Sequence, residues 1–293
     1  MTLQDSRTLP TYCQGRRNLL DSTLATFKNL CLDAPLVALV WQDFLARVWD
    51  APIQPIHRFI LALITWLAYM GDRLLDGRQQ GRTQSGSERH RFVWTHRHFL
   101  QRIWALLAIP GAALAIWQLP SRDLVPGLIA LLGLAIYCLA ARMWPRLFRG
   151  LLPRELLVGI FFSMACSLFV FTTLGGLPPL GALTALAFAL LCSLDCWAIS
   201  CTDRERDLQL GEWNLVTSYA WARQAYAGSV LAFSATALAL SFFVPGSPAL
   251  IFRAIALSCL LLFVLTRSIG MTRRLALYAD LALMTPPAFL LLT

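Results

Sequence analysis

A chain built as a train of apolar runs, each about 20 residues long and parted by basic loops, has few folds open to it. Lipid offers the backbone no hydrogen-bond partner, so each run must close its own bonds as a helix. The runs lie at about residues 30–49, 56–75, 99–119, 124–143, 155–174, 182–202, 219–244, 249–269 and 275–292. The expectation is an all-α integral membrane protein, with about nine transmembrane helices in a single bundle around a central cavity. Composition agrees: only 14% of residues are charged, 57% are hydrophobic and mean hydropathy is +0.60. A soluble domain carries about 25% charged residues.

The loops set an orientation. Of the 25 basic residues, all but Arg47, Arg58, Arg122 and Arg253 fall on one side of the predicted bundle. That bias puts the N-terminus in the cytoplasm and the C-terminus on the opposite side, in a cell (inner) membrane. It also explains the net charge of +9 without a nucleic acid partner. Residues 1–29 read as a cytoplasmic tail with an interfacial helix, with no apolar stretch of the kind a signal peptide has. In it, Arg16, Arg17 and Lys28 suit an anionic membrane surface. Residues 30–293 then form one polytopic domain. The eight cysteines are scattered without a C-x-x-C, which argues for small apolar side chains in helices, not a metal finger or disulfide framework. Pro52 and Pro55 mark a turn, and SERHRFVWTHRHF reads as a short helix capped by Ser87.

The first run carries Asp33, Gln42, Asp43 and Arg47, so its polar side must face the bundle interior. Two other runs end in charge. The second closes in TWLAYMGDRLLDGRQQGR, where Asp72 and Asp76 stand four apart. The sixth closes in LDCWAISCTDRERDLQLGEWN, where Asp203 and Asp207 repeat the spacing. On a helix each pair projects from one face. Both pairs belong to the predicted cytoplasmic side. Such carboxylates can hold Mg²⁺, which takes one or two protein ligands and fills its shell with water and phosphate oxygens. Arg73, Arg142, Arg146, Arg149 and Arg154 lie on the same side, and a guanidinium fork matches phosphate. A competing account is that aspartates and arginines at helix ends merely satisfy each other at the interface. Asp195 lies two turns deeper than Asp203, where an ionisable residue suggests function or a buried partner. Asp43 and Asp280 are weaker cases of the same kind. His90, His96 and His98 read as solvated or interfacial. Tyr69 is among the aromatic residues able to stabilise a carbocation by cation–π attraction.

At these residues the chain resembles the UbiA superfamily of intramembrane prenyltransferases. The first motif of that family is N-D-x-x-D-x-x-x-D. Here Asp72 and Asp76 match its later aspartates, while Ala68 and Tyr69 replace the leading Asn-Asp. The second motif, D-x-x-x-D, matches TDRERDLQLGEWN, and RLFRGLLPRELLVGIFFSMA is similar to the family's fourth loop and fifth helix. The resemblance implies Asp72, Asp76, Asp203 and Asp207 as catalytic metal ligands for Mg²⁺. It implies substrate contacts from Arg73, Arg142, Arg146, Arg149, Arg154, Asp195 and Tyr69. The substrates it implies are an isoprenoid diphosphate, whose prenyl tail lies in the bundle, and an acceptor such as an aromatic ring, quinone precursor or lipid. Two alternatives use the same scaffold: a terpene cyclase at the same diphosphate site, and a non-catalytic lipid-binding or transport protein. The absence of an apparent internal repeat counts against transport.

Overall fold

The computed structural model of the chain describes residues 26–80, 88–143, 153–211 and 213–290. Every regular element among them is a helix: α1 Asp33–Val48, α2 Pro55–Gln80, α3 Glu88–Thr95, α4 Arg97–Gln118, α5 Ser121–Met143, α6 Arg154–Thr173, α7 Pro179–Leu210, α8 Leu215–Ser218, α9 Ala222–Phe243, α10 Ala249–Ile269, α11 Arg273–Ala282 and α12 Pro286–Phe289. Ser87, the expected cap of α3, lies outside the described residues. So do Arg16 and Arg17.

Six helices, α4, α5, α6, α7, α9 and α10, are long and apolar enough to cross a membrane. The chain is thus an all-α, multi-pass membrane protein, and three of the nine expected runs depart from the simple span. The first forms the 16-residue α1, about 24 Å long. It is short for a 30 Å hydrocarbon layer. It is also the most enclosed helix, with Trp41, Phe44 and Leu45 fully buried. Trp41 stacks on Phe188 of α7 at 4.1 Å and donates its indole N–H to the Leu283 carbonyl at 2.9 Å. The second run forms α2, which at 26 residues is long enough but more polar than the six. The ninth is broken into α11 and α12, because Pro286 and Pro287 have no N–H to continue a helix. Thr285 at the break is not left bare: its hydroxyl meets Ser258 at 2.7 Å and the Ala254 carbonyl at 3.0 Å.

The bundle is centred on the α6–α7 and α9–α10 hairpins, with α1 and α11 packed inside. α4 packs on α2 and α5 on α6, and both leave large apolar side chains outward, among them Leu106, Ile109, Trp117, Ile129 and Leu132. Such a surface suits lipid. Between α6 and α7 the backbones touch. A Cβ on Gly159 would sit 2.3 Å from Ser193 Oγ and 2.4 Å from the Ala189 carbonyl oxygen. Ser163 adds a hydrogen bond across the same interface, to the Ala185 carbonyl at 2.6 Å. Without a hydrophobic force between helices in lipid, small residues and such bonds hold them together.

α7 is the longest element. Its 32 residues span about 48 Å. That exceeds the hydrocarbon layer by several turns, so its last turns, bearing Asp203 and Asp207, extend past it. Gly211 stops it in the left-handed conformation, φ 66°. At the opposite end of the bundle, Asp123 is fully buried at the start of α5. It lies 3.3 Å from His57 Nε2 on α2 and accepts the Thr172 hydroxyl from α6. His57 Nδ1 accepts the Gln54 N–H at 3.3 Å, so the proton of the neutral ring is on Nε2, facing Asp123.

Two outcomes follow for stability. Gly159→Ala should cost about 1–3 kcal/mol, because backbone atoms cannot move aside for the methyl. An unchanged thermal midpoint in detergent would contradict that close approach. Asp123→Ala should cost a similar amount, about 1–3 kcal/mol, by leaving buried partners unsatisfied, and Thr172→Val less.

Candidate functional site

The C-terminal turns of α2 and α7 arrive at one end of the bundle, together with the N-terminus of α6 and the short α8. Four contacts establish this. Arg154, first residue of α6, donates to Asp72 at 3.4 Å. Glu155, buried beside it, accepts the Leu215 N–H at 3.0 and 3.2 Å, meeting the unsatisfied N-terminus of α8. Asn214 caps α8 by accepting the Thr217 N–H at 2.8 Å. Its side-chain amide donates to Asp207 at 2.7 Å.

The three described aspartates of the two motifs are held differently. Asp207 is nearly buried, engaged by Asn214 and 3.8 Å from Arg206. Asp203 has a side chain 34% exposed and stands 3.5 Å from Arg206. Asp72 has a side chain 46% exposed. The Asp76 and Arg142 side chains, and Arg146 and Arg149 altogether, lie outside the described residues. The feared mutual neutralisation is therefore real but partial: Arg206 serves the second pair, and Arg154 serves Asp72.

A small cavity opens among α1, α2, α6, α7 and α11. Tyr69, Arg73 and Asp195 all line it. Tyr69 meets Phe162 edge-on, with ring centroids 6.3 Å apart. Arg73 makes no ion pair among the described residues, so its guanidinium is available to an anion. The rest of the wall combines the apolar Val37, Val158, Ile199 and Leu283 with the charged Lys28, Asp33 and Asp280.

The same cavity holds charges that sequence reasoning placed elsewhere. Lys28 is not at the membrane surface. It is 4% exposed and forms an ion pair with Asp280 of α11. It also donates to the Ala276 carbonyl and lies 3.9 Å from Asp33 of α1. The signal was present in part, since Lys28 is the only lysine in the chain and Asp280 interrupts an apolar run. Their partnership was not legible, because 252 positions separate them. Asp43 proves to be paired too, with Arg58 at 2.6 Å. His96 Nδ1 bonds the Phe92 carbonyl at 2.9 Å, in keeping with a structural role.

Among the described residues no three His, Cys, Asp or Glu side chains converge at metal-binding reach. Magnesium shared with a diphosphate needs fewer protein ligands than that. Asp72 and Asp203 have side chains 46% and 34% exposed, open enough to take an ion with its own water and phosphate shell, while Asp207 is held by Asn214 and stands 3.8 Å from Arg206.

Lys28→Met should destabilise the protein by about 1–3 kcal/mol, because Asp280, whose side chain is only 20% exposed, loses its counter-ion. The double change Lys28→Met with Asp280→Leu should recover much of the loss, read by thermal unfolding in detergent. No family model matches the chain, nor does any curated protein or solved structure.

Proposed function

We propose that the chain transfers a prenyl group from an isoprenoid diphosphate to an acceptor, with Mg²⁺ as cofactor, as the resemblance to the UbiA superfamily implies. One observation carries this reading. The helix ends bearing the two aspartate motifs meet at one end of the bundle, and Arg73 and Tyr69 near the end of α2 line a cavity whose wall mixes apolar side chains with Lys28, Asp33, Asp195 and Asp280. In this reading α1, α2 and the broken α11–α12 segment add to the six apolar helices to make nine passes, with the motif end cytoplasmic.

Asp72 and Asp203 would hold the ion, and Arg73 and Arg154 the phosphate oxygens. Magnesium, when bound, neutralises the charge of the leaving diphosphate. The C–O bond to the prenyl group breaks with its electron pair going to diphosphate. The prenyl carbon then bonds to the acceptor, which loses a proton. Tyr69 and Phe162, both lining the cavity, would offer their rings to a prenyl cation. The apolar part of the wall, with Val37, Val158, Ile199 and Leu283, would limit the access of water to that cation.

Purified protein in detergent, given Mg²⁺ and a panel of prenyl diphosphates, should release diphosphate. Asp72→Asn and Asp203→Asn should each lower that release at least tenfold, and Arg73→Ala should raise KM for the diphosphate. Release that survives both aspartate changes would refute the site. A cyclic hydrocarbon or alcohol formed without acceptor would instead identify a cyclase, and no release at all would point to a non-catalytic lipid-binding or transport role.

A further inference from the structure

The cavity ends on a layer of aromatic rings. On α1, Val37 lines it and Trp41 follows four residues later; on α7, Cys192 lines it and Phe188 stands four residues further from the motif end. Residues four apart share a helix face, so Trp41 and Phe188 fill the ground directly beyond the cavity. Both are fully buried, and their rings stack at 4.1 Å and 23°. The Trp41 N–H is pinned to the carbonyl of Leu283, itself a cavity residue. Phe162 of α6, in the wall, leans on Phe188 at 6.2 Å. An interior packed this closely does not open for added carbons without strain.

We propose, resting on the prenyl-transfer reading above, that the substrate is a short prenyl diphosphate of at most ten carbons, with Phe162 and the Trp41–Phe188 stack setting the limit. The depth of the site carries this. Along α6, Arg154 at the motif end and Phe162 at the floor are eight residues apart, a rise of about 12 Å. An isoprene unit adds four C–C bonds of about 1.5 Å to a chain, or about 5 Å when extended. Two units therefore reach Phe162 from a diphosphate held by Arg73 and Arg154, and a third would need the room that Trp41 and Phe188 occupy. The charged part of the wall leaves the tail its path. Lys28 is paired with Asp280 and Asp33, and Asp195 hydrogen-bonds Asp280, which gathers these groups toward α11. Val37, Val158, Phe162 and Ile199 remain to contact the tail.

The test uses the full chain in detergent with Mg²⁺ and prenyl diphosphates of five, ten, fifteen and twenty carbons. The kcat/KM for diphosphate release should fall at least tenfold between ten and fifteen carbons. Phe162→Leu should raise the fifteen-to-ten ratio at least fivefold, a readout that a general loss of activity does not move. Binding is read without turnover or variant, using prenyl thiolodiphosphates, whose bridging sulfur resists ionisation. The ten-carbon analogue should slow alkylation of Cys192 and Cys196, which line the cavity, at least threefold, located by peptide mass spectrometry, and the twenty-carbon analogue should not. Release or protection as good at twenty carbons as at ten overturns the length limit and leaves prenyl transfer standing. So does a ratio unmoved in a folded Phe162→Leu protein. Neither release nor protection at any length overturns the prenyl-transfer reading, and this inference with it.

Discussion

A charge taken out of water must be answered inside the protein, and the Lys28–Asp280 pair is where this chain answers it. The pair ties the segment before α1 to α11, near the two ends of the described chain. Around that tie α1 packs against α2 and α6, and its Trp41 lies flat on Phe188 of α7. The membrane spans proper could pack by small residues and dispersion alone. For α1 the charges are met at its margins: Lys28 lies 3.9 Å from Asp33 and the half-exposed Asp43 pairs with Arg58.

How far this was readable in the sequence depended on the range of the interaction. The helices α4, α5, α6, α7, α9 and α10 follow from local composition, and the stop of α7 follows from Gly211. The enclosure of α1 was expected, but with its polar side inward; instead its apolar face and Gln42 are buried, while Arg47 is exposed and Asp43, paired with Arg58, is 39% exposed. The break in the last run was written in Pro286 and Pro287, but a run of apolar residues masked it. Lys28 was misplaced for a different reason. Positive-inside statistics describe populations of basic residues, and the destination of a single lysine depends on partners far away in sequence.

The site shows the same division. The two aspartate spacings marked the helix ends, and the contacts through Arg154, Glu155 and Asn214 bring those ends together. Periodicity could not supply Glu155 as the group that meets α8, nor Asn214 as the residue that both caps α8 and holds Asp207. Those roles arise from how α6, α7 and α8 meet. Tyr69, Arg73 and Asp195 were singled out for their chemistry and are neighbours in space. Asp207, grouped with the metal ligands by its spacing, also accepts the Asn214 side-chain amide, a contact the spacing did not announce.

The contact at Gly159 has a mechanical consequence. With backbone against backbone and no side chain to rotate, α6 and α7 cannot slide past one another and behave as one piece. Glu155 and Asp207 ride on that piece, and α8 is clamped between them. The Asp203 side of the motif end is therefore a fixed jaw. The Asp72 side meets it through a half-exposed ion pair, worth little in water, and below that through the rings of Tyr69 and Phe162 and of His57 and Phe169. Of the two sides of the motif end, the last turns of α2 beyond Tyr69 are therefore the less firmly held.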